Sequence, residues 1–411
     1  MAQTLKFGNK TWATKVGSTL AYNDENGNYK PLPFNFTRST SATRVNKEGL
    51  IEVVTNDRPR IDYTDTSDGV LLLEKAATNL ITYSEGFINS SWIKLGSASA
   101  SVPILTSNYA ISPDGIQNAT RLQCDLNGGT TTSDQSIIYE SHSPNTSKTI
   151  SIYLKSNNGQ NQEVYFANTI GVNDTVVITT EWKRYVFTHS SSDSNLTLGS
   201  RGSTGSADVL DILIWGAQSE SGNVASSYIP TQGSASTRVA ETASGAGNSE
   251  VFNDSEGVLF VDTSSVNDGQ YKFIGISDGT NSNRLGLFIG NSNNKMSVES
   301  VGSGTNLGIY DKGIVTENNN KIGLKYKTNN CSLWVNGFEI GVDTSFAAFT
   351  NGTLTELSFD RGDGNFDFYG KTKEIGYYNT ILTDLELETL TSYKSWTSMV
   401  NELNLNIIYN G

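Results

Sequence analysis

Residues 215–241 read WGAQSESGNVASSYIPTQGSASTRVAE. With the preceding Ile212-Leu213-Ile214, Trp215 completes a short continuous apolar run, the pattern of a strand that packs in a sheet core. Tyr228-Ile229-Pro230 marks the exit from that strand's module, because proline donates no ladder hydrogen bond and restricts the residue before it. The chain then becomes polar and glycine-laced. Ser234-Ala-Ser-Thr-Arg-Val239 echoes Ser39-Thr-Ser-Ala-Thr-Arg-Val45, an echo too short to establish a repeat. No residue of this stretch has a catalytic pattern. It marks a module boundary, and the boundary organises the rest of the chain.

Upstream, residues 79–240 read as one module. Ile81-Thr-Tyr-Ser84 opens it, and Thr149-Ile-Ser-Ile-Tyr-Leu154 alternates apolar and polar residues as a half-buried strand does. Glu163-Val-Tyr-Phe166, Thr175-Val-Val-Ile-Thr179, Lys183-Arg-Tyr-Val-Phe187 and Val209 to Trp215 follow at short intervals. Regularly spaced short strands with turn residues between them predict an antiparallel sandwich or jelly roll.

Downstream, 241–250 (ETASGAGNSE) has linker composition. Residues 251–396 repeat the strand-rich pattern, with a hairpin predicted where Ser332-Leu-Trp-Val335 turns over Asn336-Gly337 into Phe338-Glu-Ile340. One helix is predicted there, from the capping box Thr383-Asp-Leu-Glu386 followed by Leu387 and Leu390. In the tail, residues 397–411, Leu403, Leu405, Ile407 and Ile408 form an alternating apolar set that needs a surface to cover. Residues 1–78 carry short strands and turns, including a hairpin over Asn46-Lys-Glu-Gly49 and the buried-strand pattern Val70-Leu-Leu-Leu73. This region is too thin to make a large sandwich and is expected to pack on a neighbour or on other copies. The fold class is therefore all-β: a small N-terminal β-rich anchor module, expected to serve attachment and oligomerisation, followed by two antiparallel β-sandwich (jelly-roll) domains.

Composition agrees. The 411 residues suggest two or three domains at roughly 150 residues each. Only 17% are charged, and the 39 glycines and 18 tyrosines suit a many-turned β protein. A net charge of -13 argues against nucleic-acid binding, which needs clustered Lys and Arg. The two cysteines, Cys124 and Cys331, fall in different modules, so they are expected to stay unpaired and the compartment of folding to be reducing. The segment MAQTLKFGNK lacks a signal-peptide apolar region, and no run approaches the roughly 18 apolar residues that span a bilayer.

The second module resembles a carbohydrate-binding jelly roll of tailed-bacteriophage virion proteins. The likeness lies in Asn79-Leu-Ile-Thr-Tyr-Ser-Glu85 with Trp92, Ser112-Pro-Asp-Gly115, Ser151-Ile-Tyr-Leu-Lys155, Trp182-Lys-Arg, Trp215-Gly-Ala-Gln218 and Ser227-Tyr-Ile-Pro230. Phe36-Thr-Arg to Gly49-Leu-Ile-Glu52, with Pro59-Arg-Ile-Asp-Tyr63, resembles an N-terminal segment of the same proteins. The third module is similar to concanavalin A-like lectin (laminin-G-like) domains, through Ile276-Ser-Asp-Gly279, Leu333-Trp-Val-Asn-Gly337, and Ile375-Gly-Tyr-Tyr with Leu382-Thr-Asp-Leu-Glu386. The resemblance implies a head or tail fibre or decoration subunit at the virion surface. Such a subunit is made in the host cytoplasm without a signal peptide and released by lysis. Its implied partners are other capsid or tail proteins, further copies in a homotrimer, and host-surface glycans, with no nucleic acid and no membrane insertion.

An enzyme finds little material. His142 and His189 are the only histidines, and both lie in Ser/Thr-rich surroundings unsuited to a triad or zinc site. Two-carboxylate glycan hydrolysis has only Asp360 and Asp363 as near candidates, in a turn. Asp360-Arg-Gly-Asp-Gly-Asn-Phe-Asp367 supplies oxygen ligands of the kind calcium takes, making Asp360, Asp363 and Asp367 the candidate metal ligands, although the same residues are default turn formers. For sugar, Trp182 at a strand edge and the loop residues Asp278, Asn281 and Asn283 are the candidates. Trp92 is a further aromatic in supply, whereas Trp215 and Trp334 lie in apolar strands and read as core. The expected function is non-enzymatic glycan-binding display, with a tail-spike glycan depolymerase or a purely structural capsid decoration protein as the alternatives.

Overall fold

The computed structural model describes residues 3–142, 148–167, 175–189, 195–290, 296–302, 305–307 and 319–403. The chain is all-β apart from two short α-helices among the described residues. It forms two compact units. Unit 1 comprises Met1–Ser41, Val54–Lys75 and Ala240–Gly411, and unit 2 comprises Ala42–Val53 and Ala76–Val239.

Unit 2 is built on two five-stranded antiparallel sheets. One runs in the order Ile93–Ser97, Gln135–Ser141, Asn195–Arg201, Gln162–Ala167, Thr175–Ile178. The other runs Ile104–Ala110, Ala119–Asp125, Val209–Ser221, Lys148–Ser156, Lys183–His189. The alternation that predicted the strands also sorts their faces. Ile150, Ile152 and Leu154 enter the core with Leu122, Cys124, Ile212 and Ile214, where they join Ile138, Val164, Phe166, Leu196 and Leu198 of the other sheet. Side chains two apart on a strand share a face, so each apolar alternation supplies one half of the core.

Unit 1 holds a ten-stranded sheet, a five-stranded sheet and a four-stranded sheet. Leu259 and Val261 of Glu256–Ser265 face a core shared with Ile274 and Ile276 of Lys272–Ser277. Val258 and Phe260 take the opposite face, where Trp334, Tyr378, Leu382 and Leu387 cover them. Leu387 belongs to the predicted helix, which spans Asp384–Thr391 with the predicted capping box: the Thr383 N–H donates to Glu386 Oε2 at 2.8 Å and the Glu386 N–H to Thr383 Oγ1 at 3.4 Å. The predicted hairpin joins Cys331–Val335 to Phe338–Asp343, with Asn336 at φ 52° and Gly337 at φ 91°. Positive φ at both turn positions suits the twist of a two-residue hairpin and explains the Asn-Gly pair.

The expected partition into 1–78, 79–240, 251–396 and a separate tail differs from these units. Residues 1–78 do not form a module. Leu5–Gly8 lies in the ten-stranded sheet beside Gly370–Tyr378, and Val70–Leu73 pairs with that same strand. Leu5, Phe7, Phe34, Phe36, Leu71 and Leu73 are core residues of unit 1. Strands this short cannot bury such side chains alone, so they complete a sandwich whose other strands come from the end of the chain. The hairpin of Ala42–Val45 and Ile51–Val54 is the exception, with residues 42–53 assigned to unit 2.

Segment 241–250 is likewise not a linker. Thr242–Ser244 pairs with Phe34–Thr37, and Ala246 bridges Leu357. Glu241 is fully buried and meets Arg38 at 2.6 Å and Arg60 Nε at 2.9 Å. Its small residues permit close packing, which composition alone reads as flexibility. Of the tail, Trp396–Glu402 is the second helix and Leu403 its C-cap; Leu405, Ile407 and Ile408 lie outside the described residues. Cys124 and Cys331 are both buried and free, one in each unit, and burial pushes each thiol up to about 12. No described helix is long and apolar enough to cross a membrane.

Candidate functional site

The exit of unit 2 runs back along the start of that unit. Ala77–Asn79 pairs with Ser236–Arg238, and Tyr83 bridges Gln232. Buried side chains fix this course. Asn79 Nδ2 donates to the carbonyls of Ala217 (3.1 Å) and Ile229 (2.8 Å), while its Oδ1 accepts from the N–H groups of Ile81 (3.1 Å) and Ser219 (3.0 Å). All four hydrogen-bonding positions of the amide are thus filled, as burial demands. The Ile229 N–H donates to Gln218 Oε1 at 2.7 Å, and Pro230, which has no N–H to satisfy, sits exposed.

Beside this crossing lies a pocket of about 590 Å³ lined by Tyr83, Glu85, Gly86, Asn108, Asn118, Pro230, Thr231 and Gln232. Ligand pockets commonly occupy about 300–1,000 Å³. Glu85 is the best-held side chain. Its Oε1 accepts from the Tyr228 hydroxyl at 2.8 Å, and its Oε2 accepts from Asn118 Nδ2 at 3.4 Å. Tyr228 Oη also lies 2.7 Å from Ser84 Oγ, and Ser84 Oγ accepts from the Thr231 N–H at 2.9 Å. The two backbone crossings and the carboxylate therefore belong to one hydrogen-bonded set. Burial raises the Glu85 carboxyl above its usual range, the Tyr228 hydrogen bond opposes this, and the charge of Asp114 adds to it. Burial, then the neighbouring Glu85 charge, also carries the Tyr228 phenol well above its ordinary value.

Asn118 and Asn108, also in the lining, are positioned by the Ser112-Pro-Asp-Gly115 turn and by a distorted edge strand. Asp114 Oδ1 accepts from Ser112 Oγ (2.5 Å) and from the Ile116 N–H (2.8 Å), and its Oδ2 accepts from Asn118 Nδ2 at 3.0 Å. Two acidic neighbours orient the Asn118 amide with its nitrogen toward them, leaving its oxygen buried without a hydrogen bond. Asn108 stands at φ 52° in the register shift between Thr106 and Ala110 of Ile104–Ala110. A bulge of this kind re-aims a side chain out of the ladder. The pocket thus combines a phenol ring, one carboxylate and the amides of Asn108, Asn118 and Gln232, and its lining contains no Lys, Arg or His.

The sequence-predicted sugar residues lie elsewhere. Trp182 is half-buried, packs on the Ile51–Trp215–Tyr228 cluster, and donates its indole N–H to the Ile111 carbonyl at 3.1 Å. Trp92, Trp215 and Trp334 are all buried. In unit 1, Asp278 accepts from Thr280 N–H (2.9 Å) and Asn283 Nδ2 (2.7 Å), which closes its own turn. Burial alone would raise its carboxyl, but these hydrogen bonds outweigh burial and lower it. Asn281 is exposed, and its carbonyl accepts from Arg284.

The candidate calcium ligands are also spent separately. Asp360 accepts from the Gly362 N–H at 2.5 Å, Asp363 pairs with Arg361 at 2.6 Å, and Asp367 accepts from the Tyr369 hydroxyl at 3.1 Å. Among the described residues no group of three or more His, Cys, Asp or Glu is placed to hold a metal ion. His142 lies 2.6 Å from Ser219 Oγ, and His189 ends a strand. The pocket residues Asn108, Asn118 and Gln232 escaped the sequence reading. Tyr83 and Glu85 fell within a noted motif, without any local sign of their role.

No protein-family model matches this chain, and no curated protein matches it. Among solved structures it is similar to the carbohydrate-binding module, family 40, of the Ruminococcus gnavus IT-sialidase bound to α2,3-sialyllactose. The identity is 17%, coverage is 34% of this chain and 84% of that one, and the TM-score is 0.30. It is similar to domain 4 of the Geobacillus stearothermophilus arabinanase AbnA in complex with arabinotriose, with 15% identity, coverage of 41% and 83%, and a TM-score of 0.31. Trypanosoma rangeli sialidase is similar at 10% identity, with coverage of 91% and 65% and a TM-score of 0.31. At TM-scores this low, the fold and site rest on the chain's own strands and side chains.

Proposed function

We propose that unit 2 is a saccharide-binding module and that the Tyr83–Glu85–Asn118–Gln232 pocket receives a neutral sugar. The observation that carries this reading is the lining itself: a phenol ring, a carboxylate and side-chain amides in one pocket without a cation. A pyranose offers an apolar C–H face and a rim of hydroxyls, which matches a ring plus amide and carboxylate acceptors. A carboxylated sugar would face Glu85 and Asp114 with nothing to neutralise it.

The site is a binding site and not a catalytic one in this reading. Both Glu85 oxygens already accept hydrogen bonds, and the Asp114 oxygens hold a turn and Asn118. The broader proposal is a non-enzymatic virion structural protein, a head or tail fibre or decoration subunit, displaying this module at the particle surface as a homo-oligomer. Its support is the resemblance of the sequence motifs to those of tailed-phage proteins. Weak single sites would gain avidity from several copies.

The test is a glycan array on the intact protein, followed by calorimetry on the hits. Neutral glycans should bind, binding should change little with salt, and Tyr83→Ala and Gln232→Ala should each weaken it about tenfold or more. Exclusive binding of acidic glycans would refute the pocket assignment. Release of reducing ends from a bound polysaccharide would refute the non-enzymatic reading.

A further inference from the structure

One end of the outer face of the five-stranded sheet of unit 1 carries aromatic rings where an antiparallel sandwich usually presents polar residues. Ile274, Ile276, Leu285 and Leu287 point into the core, so the alternate positions face outward. There Gly275 pairs with Gly286 across the strands, and the Phe273 ring lies over both, so close that a side chain at either glycine would strike it. Phe273 is fully buried, but Tyr271 is 41% exposed and Phe288 is half-buried.

The loop after Phe359 adds a third ring. Phe366 lies 5.4 Å from Tyr271 and 6.0 Å from Phe288, and Tyr271 stacks on Phe288 at 5.4 Å with an interplanar angle of 27°. Phe366 is held at φ 60°, a backbone conformation that bulky residues rarely adopt and that turns normally assign to Gly or Asn. The Phe273 N–H donates to the Phe366 carbonyl at 2.8 Å, which locks that conformation against the strand. Strain of this sort is retained where the ring's position matters. The Arg361 guanidinium lies 4.4 Å from the Phe366 ring centre, and Asp363 pairs with it at 2.6 Å.

We infer that this aromatic cluster is a second saccharide-binding site, taking a neutral sugar stacked on Tyr271 and Phe366. A sugar C–H face fits the rings. Its hydroxyls would meet the Tyr271 hydroxyl, the Asn365 amide and the Arg361–Asp363 fork. Charge decides against an acidic ligand, because Arg361 is neutralised by Asp363 while Asp360 and Asp367 add negative charge to the same loop. The site stands independently of the pocket in unit 2.

The intact chain is titrated calorimetrically with lactose, cellotetraose and maltotetraose as neutral probes and a heparin tetrasaccharide as the acidic one. The variants are Tyr83→Ala, Phe366→Gly, Tyr271→Ala, and Tyr83→Ala combined with either Phe366→Gly or Tyr271→Ala. At least one neutral probe should still bind Tyr83→Ala and lose affinity tenfold or more when Phe366→Gly or Tyr271→Ala is added. Phe366→Gly suits the positive φ, so its melting temperature reports whether folding survives. If Tyr83→Ala abolishes all neutral binding, or Phe366→Gly and Tyr271→Ala leave it unchanged, the second site is refuted. Preference for the heparin fragment at this site also refutes it. If binding ignores Tyr83→Ala and vanishes in Phe366→Gly, this site stands and the pocket in unit 2 falls.

Discussion

Glu241→Gln should be among the most damaging single changes in unit 1. Arg38, Arg60 and Glu241 have fully buried side chains. One carboxylate serves both guanidiniums, and it also accepts from the Glu74 N–H at 2.9 Å. Arg60 keeps a second partner, Glu74, at 2.8 Å, and Arg38 keeps the carbonyls of Thr40 at 2.8 Å and Thr55 at 2.6 Å. Burial by itself would lower the Arg60 pKa, but Glu241 and Glu74 outweigh it and raise the value above normal; without Glu241 the guanidinium is still charged, because arginine does not lose its proton in proteins. Removing one partner of a buried pair costs about 3–5 kcal/mol, because the charge left behind is uncompensated. At roughly 2–4 °C per kcal/mol for a domain of this size, unit 1 should melt about 10 °C lower. Scanning calorimetry on Glu241→Gln measures this directly. Glu256→Gln is the comparison: it breaks the more exposed Lys327 pair at 2.8 Å and should cost under about 1 kcal/mol. Replacing Arg38, Arg60 and Glu241 together by Met, Met and Leu should recover much of the loss, since a well-packed apolar substitute for a buried ion cluster is often neutral. If Glu241→Gln melts no lower than Glu256→Gln, the uncompensated-charge reasoning is wrong.

Gly337→Ala should destabilise unit 1 by about 1–2 kcal/mol through backbone strain, since its φ is 91° and an added Cβ would fall 2.6 Å from Ser392 Oγ; the urea midpoint reads the loss. His142 is held down to about 4 by burial and then by the charge of Lys148, against an ordinary value of 6.5. With the folded value below the unfolded one, the unfolded chain takes the proton first. The stability His142 contributes is therefore complete above about pH 6.5 and is lost as pH falls toward about 4. His142→Gln should flatten that part of the acid-unfolding curve, and an unchanged curve would show that the histidine is not buried as described.

What was legible in the chain was local. The Asn336-Gly337 hairpin and the Thr383–Glu386 capping box each depend on a few neighbouring residues, and both form as written. The alternation of Ile150, Ile152 and Leu154 correctly marked a core-facing strand, because side-chain direction repeats every two residues whatever the partner. The partners were not legible. Leu5 pairs opposite Tyr377 across almost the whole chain, and no turn or spacing encodes that register. Segment 241–250 was misread because small residues serve close packing and flexibility alike. The burial of Glu241 against two arginines from early in the chain and the pairing of Thr242–Ser244 with Phe34–Thr37 separate the two meanings.

The candidate sites follow the same logic. The pocket in unit 2 draws on residues 83–86, 108, 118 and 230–232, which become neighbours only when the exit strand returns along Ala77–Asn79 and the edge strand bulges at Asn108. Trp215 and Trp334, which lie in apolar strands, are core as their context implies, while Trp182, the platform candidate, packs on the Ile51–Trp215–Tyr228 cluster. The rings of the unit 1 cluster are tyrosine and phenylalanine, placed by a strand end and by a loop residue with a strained φ. Both constellations also lack an unneutralised cation, in a chain whose net charge is -13. An acidic polysaccharide would meet repulsion from the whole molecule and no compensating contact at either site. Charge and site chemistry thus select the same ligand class, and the selection rests on different residues in each unit.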